Sequence, residues 1–152
     1  MKRSAGLLLY KFNGGALHVF LVHPGGPFWK NKDAGAWSIP KGEFADDEDA
    51  LQAAIREFKE ETGRDINGNF INLGTIKQKS GKLVYAWAVE GDIDASAIQS
   101  NNFELQWPPN SGKWITVPEV DKGEWFSIAD AKVKMNMAQI DLLTELEKKL
   151  AL

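Results

Sequence analysis

Residues 39–63 constrain the fold of this chain most, because they join a glycine turn to a helical pattern that carries many acids. On a helix with about 100° per residue, one mostly apolar stripe comprises Leu51, Ile55, Phe58 and Thr62. Three carboxylates share a separate arc about 100° wide, those of Glu57, Glu60 and Glu61. One helix can therefore pack against a core and still present three acids together.

Three like charges within one helical turn repel one another, and a bound divalent cation is the simplest compensation. Carboxylate oxygens suit Mg²⁺ or Mn²⁺. In this projection Ala50, Ala53 and Ala54 lie on the side of the acids, so we expect open space above the carboxylates. A solvated glutamate face, with an ordinary ion pair between Arg56 and Glu60, is the competing interpretation.

The spacing of the segment favours a metal site. It reads Gly42, five residues, Glu48, seven residues, and then REFKEETG ending at Gly63. This pattern resembles the Nudix box, the signature of hydrolases that cleave nucleoside diphosphates linked to another group. Its fixed residues are all present: Gly42, Glu48, Arg56, Glu57, Glu60, Glu61 and Gly63. Arg64 replaces the aliphatic residue usual in the family, and we expect Ile66 to take over its packing.

The resemblance implies an α/β fold, the Nudix-type α/β/α sandwich with a mixed central β-sheet. It implies a metal-binding set of Glu57, Glu60, Glu61 and the backbone near Gly42. It further implies that Mg²⁺ (or Mn²⁺) is the cofactor, with Glu60 and Glu57 catalytic and Arg56 orienting one glutamate. Glu48 is expected to be structural, because about three helical turns separate it from Glu60.

Members of the family also recruit an acid from outside the box, and Glu119 is our first candidate. It stands six residues before Trp125 in the tract VPEVDKGEWFS, which resembles the segment of MutT-like members that carries this glutamate. We expect it to accept a proton from water or to complete the ligand shell of a second metal. Glu104, in an aromatic strand before a Pro-Pro turn, is the rival.

The candidate substrate-binding residues are cations and one aromatic side chain: Lys41, Lys79, Lys82 and Trp37. Lysines can meet phosphates as point charges, and an indole can stack on a nucleobase. The loop at 24–35 also carries Phe28 and Trp29. This loop either contacts substrate or caps the edge of the core.

The tract WSIPKG at 37–42 resembles the residues that lead into the box in hydrolases of diadenosine polyphosphates. We therefore expect a small-molecule nucleotide substrate such as diadenosine tetraphosphate, cleaved to ATP and AMP. A pyrophosphohydrolase of nucleoside triphosphates, including oxidised ones, is the alternative. A non-catalytic nucleotide-sensing domain is a further alternative, although the intact set of acids argues against it.

Composition bounds the remaining possibilities. With 152 residues, 43% of them hydrophobic, the sequence predicts a single domain over residues 1–152. A net charge of −3 and the lack of a basic run argue against a nucleic-acid partner. Without cysteine there is no disulfide framework or thiol nucleophile. No signal-peptide pattern and no long apolar stretch is present, so we expect a cytoplasmic monomer or homodimer with no membrane partner.

Periodicity predicts strands first, then the acidic helix, then strands and helices again. Strands are expected at 5–12, 17–23, 36–39, 70–77, 82–90, 103–107 and 113–117. The strand at 82–90 is apolar on both faces and should be central in the sheet. The acidic helix should begin near Asp47, capped by Asp46 or Asp47, and stop at Gly63. Asn136 is expected to cap a last helix whose inward face is Ile140, Leu143, Leu146 and Leu150.

Overall fold

A computed structural model describes residues 2–152, which are organised around one six-stranded mixed sheet. The strands of the chain are β1 (Arg3–Asn13), β2 (Ala16–Pro24), β3 (Lys41–Glu43), β4 (Ile71–Lys77), β5 (Leu83–Glu90), β6 (Asn102–Gln106), β7 (Trp114–Pro118) and β8 (Val120–Ser127). The sheet has the order β4-β5-β1-β2-β8, with β3 paired to the start of β1. Strands β1 and β5 pair in parallel, and the other pairs of this sheet are antiparallel. Strands β6 and β7 form a separate antiparallel ribbon.

Helices cover both faces of the sheet, because side chains alternate between the faces along each central strand. The helices are α1 (Ala50–Thr62), α2 (Ile128–Lys134) and α3 (Ile140–Lys149). Leu7 and Leu9 of β1 pack in the core beneath α1, whereas Leu8 packs with the leucines of α3. Residues of β5 alternate between the same two cores, as expected for a central strand. The predicted α/β/α sandwich with a mixed sheet is thus confirmed.

Helix α1 begins later than the sequence analysis predicts. Its N-cap is Asp49, whose Oδ2 accepts a hydrogen bond from the backbone N–H of Gln52 at 3.0 Å. The prediction of Asp46 or Asp47 as cap is wrong, because both precede the first helical turn. The helix ends as expected at Gly63, which has φ of 72° and donates its N–H to the Lys59 carbonyl at 2.7 Å.

The short strand predicted at 36–39 is also displaced. That segment makes only isolated bridges, from Trp37 to Met135 and from Ser38 to Val22, and the strand itself is β3. Strand β3 approaches β1 very closely at Gly6, where an added Cβ would lie 2.6 Å from the carbonyl oxygen of Pro40. Only a glycine at this position leaves room for the chain that leads into the box.

The C-terminal elements close the second layer of helices. Asn136 is a cap as predicted, but of a short 3-10 turn at Met137–Gln139 that precedes α3. Leu142, Leu143 and Leu146 of α3 are buried against the sheet. None of the helices formed by residues 2–152 is long and apolar enough to cross a membrane.

Candidate active site

Helix α1 turns two of its acids toward the sheet. Glu57 and Glu61 are only 7% and 6% exposed, and Ala53 and Ala54 are fully buried beside Phe58. The expectation that the alanines leave open space above the acids is wrong. Their small side chains instead let this face of the helix lie close to the sheet, which carries the two carboxylates inward.

The predicted apolar stripe of α1 packs against the core along its length and is most deeply buried in its second half. Phe58 and Thr62 are fully buried, whereas Leu51 and Ile55 are half-buried at the rim of the core. The small side chains of Ala53 and Ala54 let that face of the helix approach the sheet, and this sets the rotation of the helix. A helical wheel does not represent side-chain size.

Strand β3 receives the inward-facing acids. The backbone N–H of Lys41 donates to Glu61 Oε2 at 3.1 Å. A Cβ added at Gly42 would overlap the carboxylate of Glu57. The glycine of the box is therefore required for close approach of the helix, and it brings the backbone of β3 against the acidic cluster as the sequence analysis expects.

Arg56 links the outer acids, Glu48 and Glu60, to the inward-facing Glu57. Its Nε and Nη2 donate to the two carboxylate oxygens of Glu48 at 2.9 and 3.0 Å. Its Nη1 donates to Glu57 Oε1 at 2.8 Å and to Glu60 at 3.3 Å. These bonds, chiefly those to Glu48, raise the pKa of the guanidinium and lower the pKa of the Glu48 carboxyl. Glu48 thereby holds Arg56 in position, which is a structural contact.

Two carboxylates of α1 and one from a distant part of the chain meet at one point. Oxygens of Glu57, Glu61 and Glu119 lie within 4.8 Å of one another. Glu119 is held by its backbone, because its N–H donates to the Asn101 carbonyl at 2.9 Å and its carbonyl accepts from Gly25 at 3.0 Å. The acid proposed from outside the box therefore lies next to the acids of the box.

The cluster differs from the metal set that the sequence predicts. Glu60 is on the outer side of α1, about one third exposed, and lies outside the group of three mutually close oxygens. Glu104 is remote, on the β6–β7 ribbon, where its carboxylate accepts a hydrogen bond from Thr116 at 2.6 Å. Glu119 belongs to the group of three and Glu104 has no contact with it, whereas a metal-binding role for Glu60 stays a prediction.

The carboxylates of this cluster are destabilised in their charged form by burial and by their mutual repulsion. Burial and then the charge of Glu57 raise the pKa of Glu61 well above its ordinary value. Burial and then Glu60 raise the pKa values of both Glu57 and Glu119. Three oxygen donors with this charge surplus fit a divalent cation. Glu57, Glu61 and Glu119 are the residues that would hold it.

A cavity of about 280 Å³ opens beside the cluster. Glu61 and Glu119 form part of its wall, and Lys41 and Trp29 form other parts. Burial and then the charge of Lys82 lower the pKa of Lys41. An ammonium group in the wall that also carries the acids can bind the phosphate of a ligand whose other oxygens face a cation.

The predicted substrate residues are dispersed. Lys41 lines the cavity, and Lys82 lies near it with its Nζ 3.9 Å from Glu43. Lys79 is exposed in the turn before β5 and does not line the cavity. Trp37 is 1% exposed, and its Nε1 donates to Asp33 at 2.8 Å. Its ring is enclosed by the core, so the face needed for stacking on a base is covered.

The polar side chains of the cavity wall that the sequence does not predict are those of Ser38, Gln78, Asn136 and Gln139. Gln139 is fully buried and accepts a hydrogen bond from the Ile39 amide at 3.0 Å. Gln139 stands four residues before Leu143 and is in phase with the inward face of α3. A polar residue at a position where the helix pattern calls for an apolar one, as at Gln139, is the sequence signal that indicates such a wall residue.

Fold and site together define an α/β/α protein whose central helix carries acids that could hold a metal ion beside a cavity. The family model described as the NUDIX domain matches residues 1–146. The chain therefore belongs to the Nudix family and is a hydrolase that acts on phosphoric anhydride bonds. No curated protein sequence matches it.

Solved structures share this fold over nearly the whole chain. A Caenorhabditis elegans Ap4A hydrolase binary complex has a TM-score of 0.68 and 23% identity, covering 99% of this chain and 98% of that one. The NUDIX domain of Shewanella oneidensis NrtR, complexed with ADP ribose, has a TM-score of 0.67 and 19% identity, covering 97% and 87%. The Escherichia coli ORF135 protein has a TM-score of 0.62 and 20% identity, covering 99% and 91%. At these identities the likeness concerns the fold.

Proposed function

We propose that this chain is a metal-dependent pyrophosphohydrolase of diadenosine polyphosphates, cleaving diadenosine tetraphosphate to ATP and AMP. The observation that carries the proposal is the meeting of Glu57, Glu61 and Glu119 within 4.8 Å beside a cavity that Lys41 also lines. When bound, Mg²⁺ or Mn²⁺ would neutralise charge on the phosphates and lower the pKa of the attacking water.

Each side chain of the site has a distinct task in this proposal. The carboxylates of Glu57, Glu61 and Glu119, with the backbone at Gly42, would hold the cation, and Arg56 fixes Glu57 through the 2.8 Å hydrogen bond. Glu119 also accepts the proton of the attacking water, because its carboxylate lies in the cavity wall beside those of Glu57 and Glu61. Glu60, which Arg56 also contacts, is the alternative proton acceptor.

The cations of the site bind the phosphate chain. Lys41 is in the cavity wall, and Lys82 is close enough for its charge to lower the pKa of Lys41. A further phosphate that extends out of the cavity would meet this second lysine. Two adjacent ammonium groups suit a chain of several phosphates better than a single phosphate.

Space and aromatic exposure favour a dinucleotide. The cavity of about 280 Å³ is at the small end for ligand sites and can enclose one nucleoside. A second nucleoside would lie outside it, where Phe28 of the loop at 24–35 is 54% exposed. The tract at 37–42 and the fold of the Ap4A hydrolase from Caenorhabditis elegans support the same substrate class.

The size of the cavity also favours a second candidate, a pyrophosphohydrolase of nucleoside triphosphates, including oxidised ones. A mononucleotide would fill the cavity with its base, and the amide side chains of Asn136 and Gln139 are available in the wall. This candidate needs no contact with the exposed loop.

The test is a panel of nucleotides with Mg²⁺ whose products are separated by chromatography. The panel contains diadenosine tetraphosphate, ATP, an oxidised guanosine triphosphate and ADP-ribose, each with and without excess chelator. We expect ATP and AMP from the dinucleotide and no turnover in chelator or in a Glu57→Gln variant. Cleavage of mononucleotides alone would favour the second candidate. Tight nucleotide binding without any hydrolysis would favour a sensor.

A further inference from the structure

His23, at the end of β2, has a hydrogen-bond acceptor at each ring nitrogen. The residue is 2% exposed. Its Nδ1 lies 2.9 Å from Asp121 Oδ1, and its Nε2 lies 2.6 Å from the Lys32 carbonyl oxygen. A carbonyl and an ionised carboxylate can only accept, and a neutral imidazole has a single N–H to donate. Both contacts are satisfied together only when the ring carries two protons.

The two acceptors belong to segments that border the cavity. Lys32 is in the loop at 24–35, and its own N–H donates to the Trp29 carbonyl at 2.9 Å. Trp29 lines the cavity. On the other side, Asp121 lies in β8, two residues after Glu119, which immediately precedes that strand. His23 therefore bridges the loop that carries Trp29 to the strand next to the catalytic acid.

The charged groups around this ring come from three elements. They are Asp121 and Lys122 of β8, Lys32 and Asp33 of the loop, and Lys134 of α2. The ammonium of Lys32 lies over the Phe28 ring at 3.5 Å, and that of Lys122 lies over the Trp37 ring at 5.4 Å. Asp33 is paired with Lys134. The carboxylate of Asp121 is thus the charge in direct contact with the imidazole.

We propose that His23 is a positioning residue that fastens the loop at 24–35 to β8 and so holds Trp29 in the cavity wall. Loss of the donor at Nε2 leaves the Lys32 carbonyl without this partner, and the attachment of the loop weakens. Because His23 does not contact Glu57, Glu61 or Glu119, substrate affinity should fall while turnover changes little. The effect on affinity rests on the proposed function, whereas the effect on the loop does not.

The first experiment needs no substrate. Amide hydrogen exchange of residues 24–35 is compared at one pH between the wild-type protein, His23→Asn and His23→Gln. Exchange should accelerate in His23→Asn, which loses the donor to the Lys32 carbonyl, and should stay close to wild type in His23→Gln. Equal exchange of the loop in wild type and His23→Asn would overturn the proposal.

A matched pair of variants separates the hydrogen bond to Asp121 from the hydrogen bond to the Lys32 carbonyl. His23→Gln can keep a donor near the position of Nε2, and His23→Asn can keep one near Nδ1. The Gln variant retains the bond to the loop, so its KM should stay within about twofold of wild type. The Asn variant loses that bond, and its KM should rise about two- to tenfold with kcat within about twofold. His18→Asn, on the same strand, is the control and should match wild type.

Equal KM values in the Asn and Gln variants, or a loss confined to kcat, would contradict a loop-positioning role. If neither variant folds, NMR of ¹⁵N-histidine in the wild-type protein at one pH still decides, because a ring without a proton on Nε2 cannot donate to the Lys32 carbonyl. If no nucleotide of the panel is cleaved, the exchange experiment still decides, because it measures the loop itself. Failure of this proposal and failure of the proposed function are therefore distinguishable.

Discussion

At the scale of single residues, the environment of a carboxylate separates the acids that sequence spacing treats alike. Glu119 and Glu104 both lie outside the box, in tracts rich in aromatic residues. Glu119 is partly buried beside other acids, which raises its pKa, whereas Glu104 is exposed and bonded to Thr116. The choice between them depends on how β7 leads into β8, and spacing in the sequence does not encode that path.

Glu119→Gln should lower kcat by about 10²- to 10⁴-fold, because the amide cannot accept a proton from water. The change in KM should be small, since the lost interaction belongs mainly to the transition state. Steady-state kinetics on the cleaved nucleotide measures both constants. Glu104→Gln is the matched control and should keep kcat within about threefold of wild type. The reverse pattern, a large loss only in the Glu104 variant, would transfer the role to the ribbon.

Glu61 should make the metal-free protein less stable as pH rises. Its pKa in the folded state is raised well above the ordinary value of 4.5, so the folded chain keeps a proton that the unfolded chain has released. Unfolding then releases that proton, and the free energy of unfolding falls from about pH 4.5 upward until the raised pKa is passed. Thermal unfolding in chelator at a series of pH values measures this fall.

The same unfolding series in Glu61→Gln should show a smaller fall, because the amide does not titrate. Glu124→Gln, at an exposed position of β8, is the control and should keep the wild-type slope. An unchanged slope in the Glu61 variant would mean that other groups cause the pH dependence.

At the scale of elements, α1 shows where pattern reasoning succeeds and where it stops. The helix, its glycine end and the burial of Phe58 follow from spacing and propensity. Its rotation against the sheet does not, because that depends on the small side chains of Ala53 and Ala54 and on the backbone of β3. The prediction that Trp37 stacks on a base is wrong for a related reason. A large aromatic residue near a site has the same sequence pattern whether it is stacked on a ligand or buried in the core.

Gly42→Ala should damage the site through packing. The added Cβ would overlap the Glu57 carboxylate, and Gly42 is not among the glycines with positive φ, so steric overlap is the main effect. Displacing one carboxylate should weaken metal binding at least about tenfold. Overpacking should cost about 1–3 kcal/mol of stability. Titration calorimetry with Mn²⁺ and thermal unfolding measure the two effects.

Gly91→Ala provides the comparison. A Cβ there comes no closer than 3.2 Å to the end of the Leu9 side chain, so a small shift of that side chain accommodates it. We expect wild-type metal affinity in this variant. Equal metal affinities in the Gly42 and Gly91 variants would show that close approach of β3 and α1 is not needed for the site.

At the scale of the whole molecule, a bound divalent cation should stabilise the fold. It would relieve the repulsion between the carboxylates of α1 and the carboxylate of Glu119, which lies just before β8. At a free concentration about 100 times Kd, the gain is about 2.7 kcal/mol. For a chain of this size that corresponds to about 5–10 °C in Tm. Differential scanning calorimetry with Mg²⁺, with Mn²⁺ and with chelator measures it at a fixed pH.

The double variant Glu57→Gln/Glu61→Gln should lose most of that increase in Tm. An equal increase in wild type and double variant would mean that the cation binds elsewhere. The variant also removes buried charge, so its metal-free Tm is expected to equal or exceed that of the wild-type protein.

The layered architecture was predictable because strands and helices alternate along the chain in the order that a sandwich requires. The pairings of β1 with β5 and of β2 with β8 were not, since several apolar strands of similar length could fill those edges. The position of Glu119 depends on the second pairing, because β8 reaches the site only by joining the free edge of β2. Contacts between distant segments, which periodicity does not encode, thus determine the part of the site that the sequence does not predict.

The parallel pairing of β1 with β5 determines when this protein can become stable during its synthesis. Residues 3–10 must wait for residues 83–90, and β2 must wait for β8, before their open edges are filled. A nascent chain halted between those points exposes unpaired strand edges, which favour association with other chains. Ribosome-bound intermediates of this length are therefore expected to depend on chaperones, and the acids at 57 and 61 gain their third partner only after most of the chain has been made.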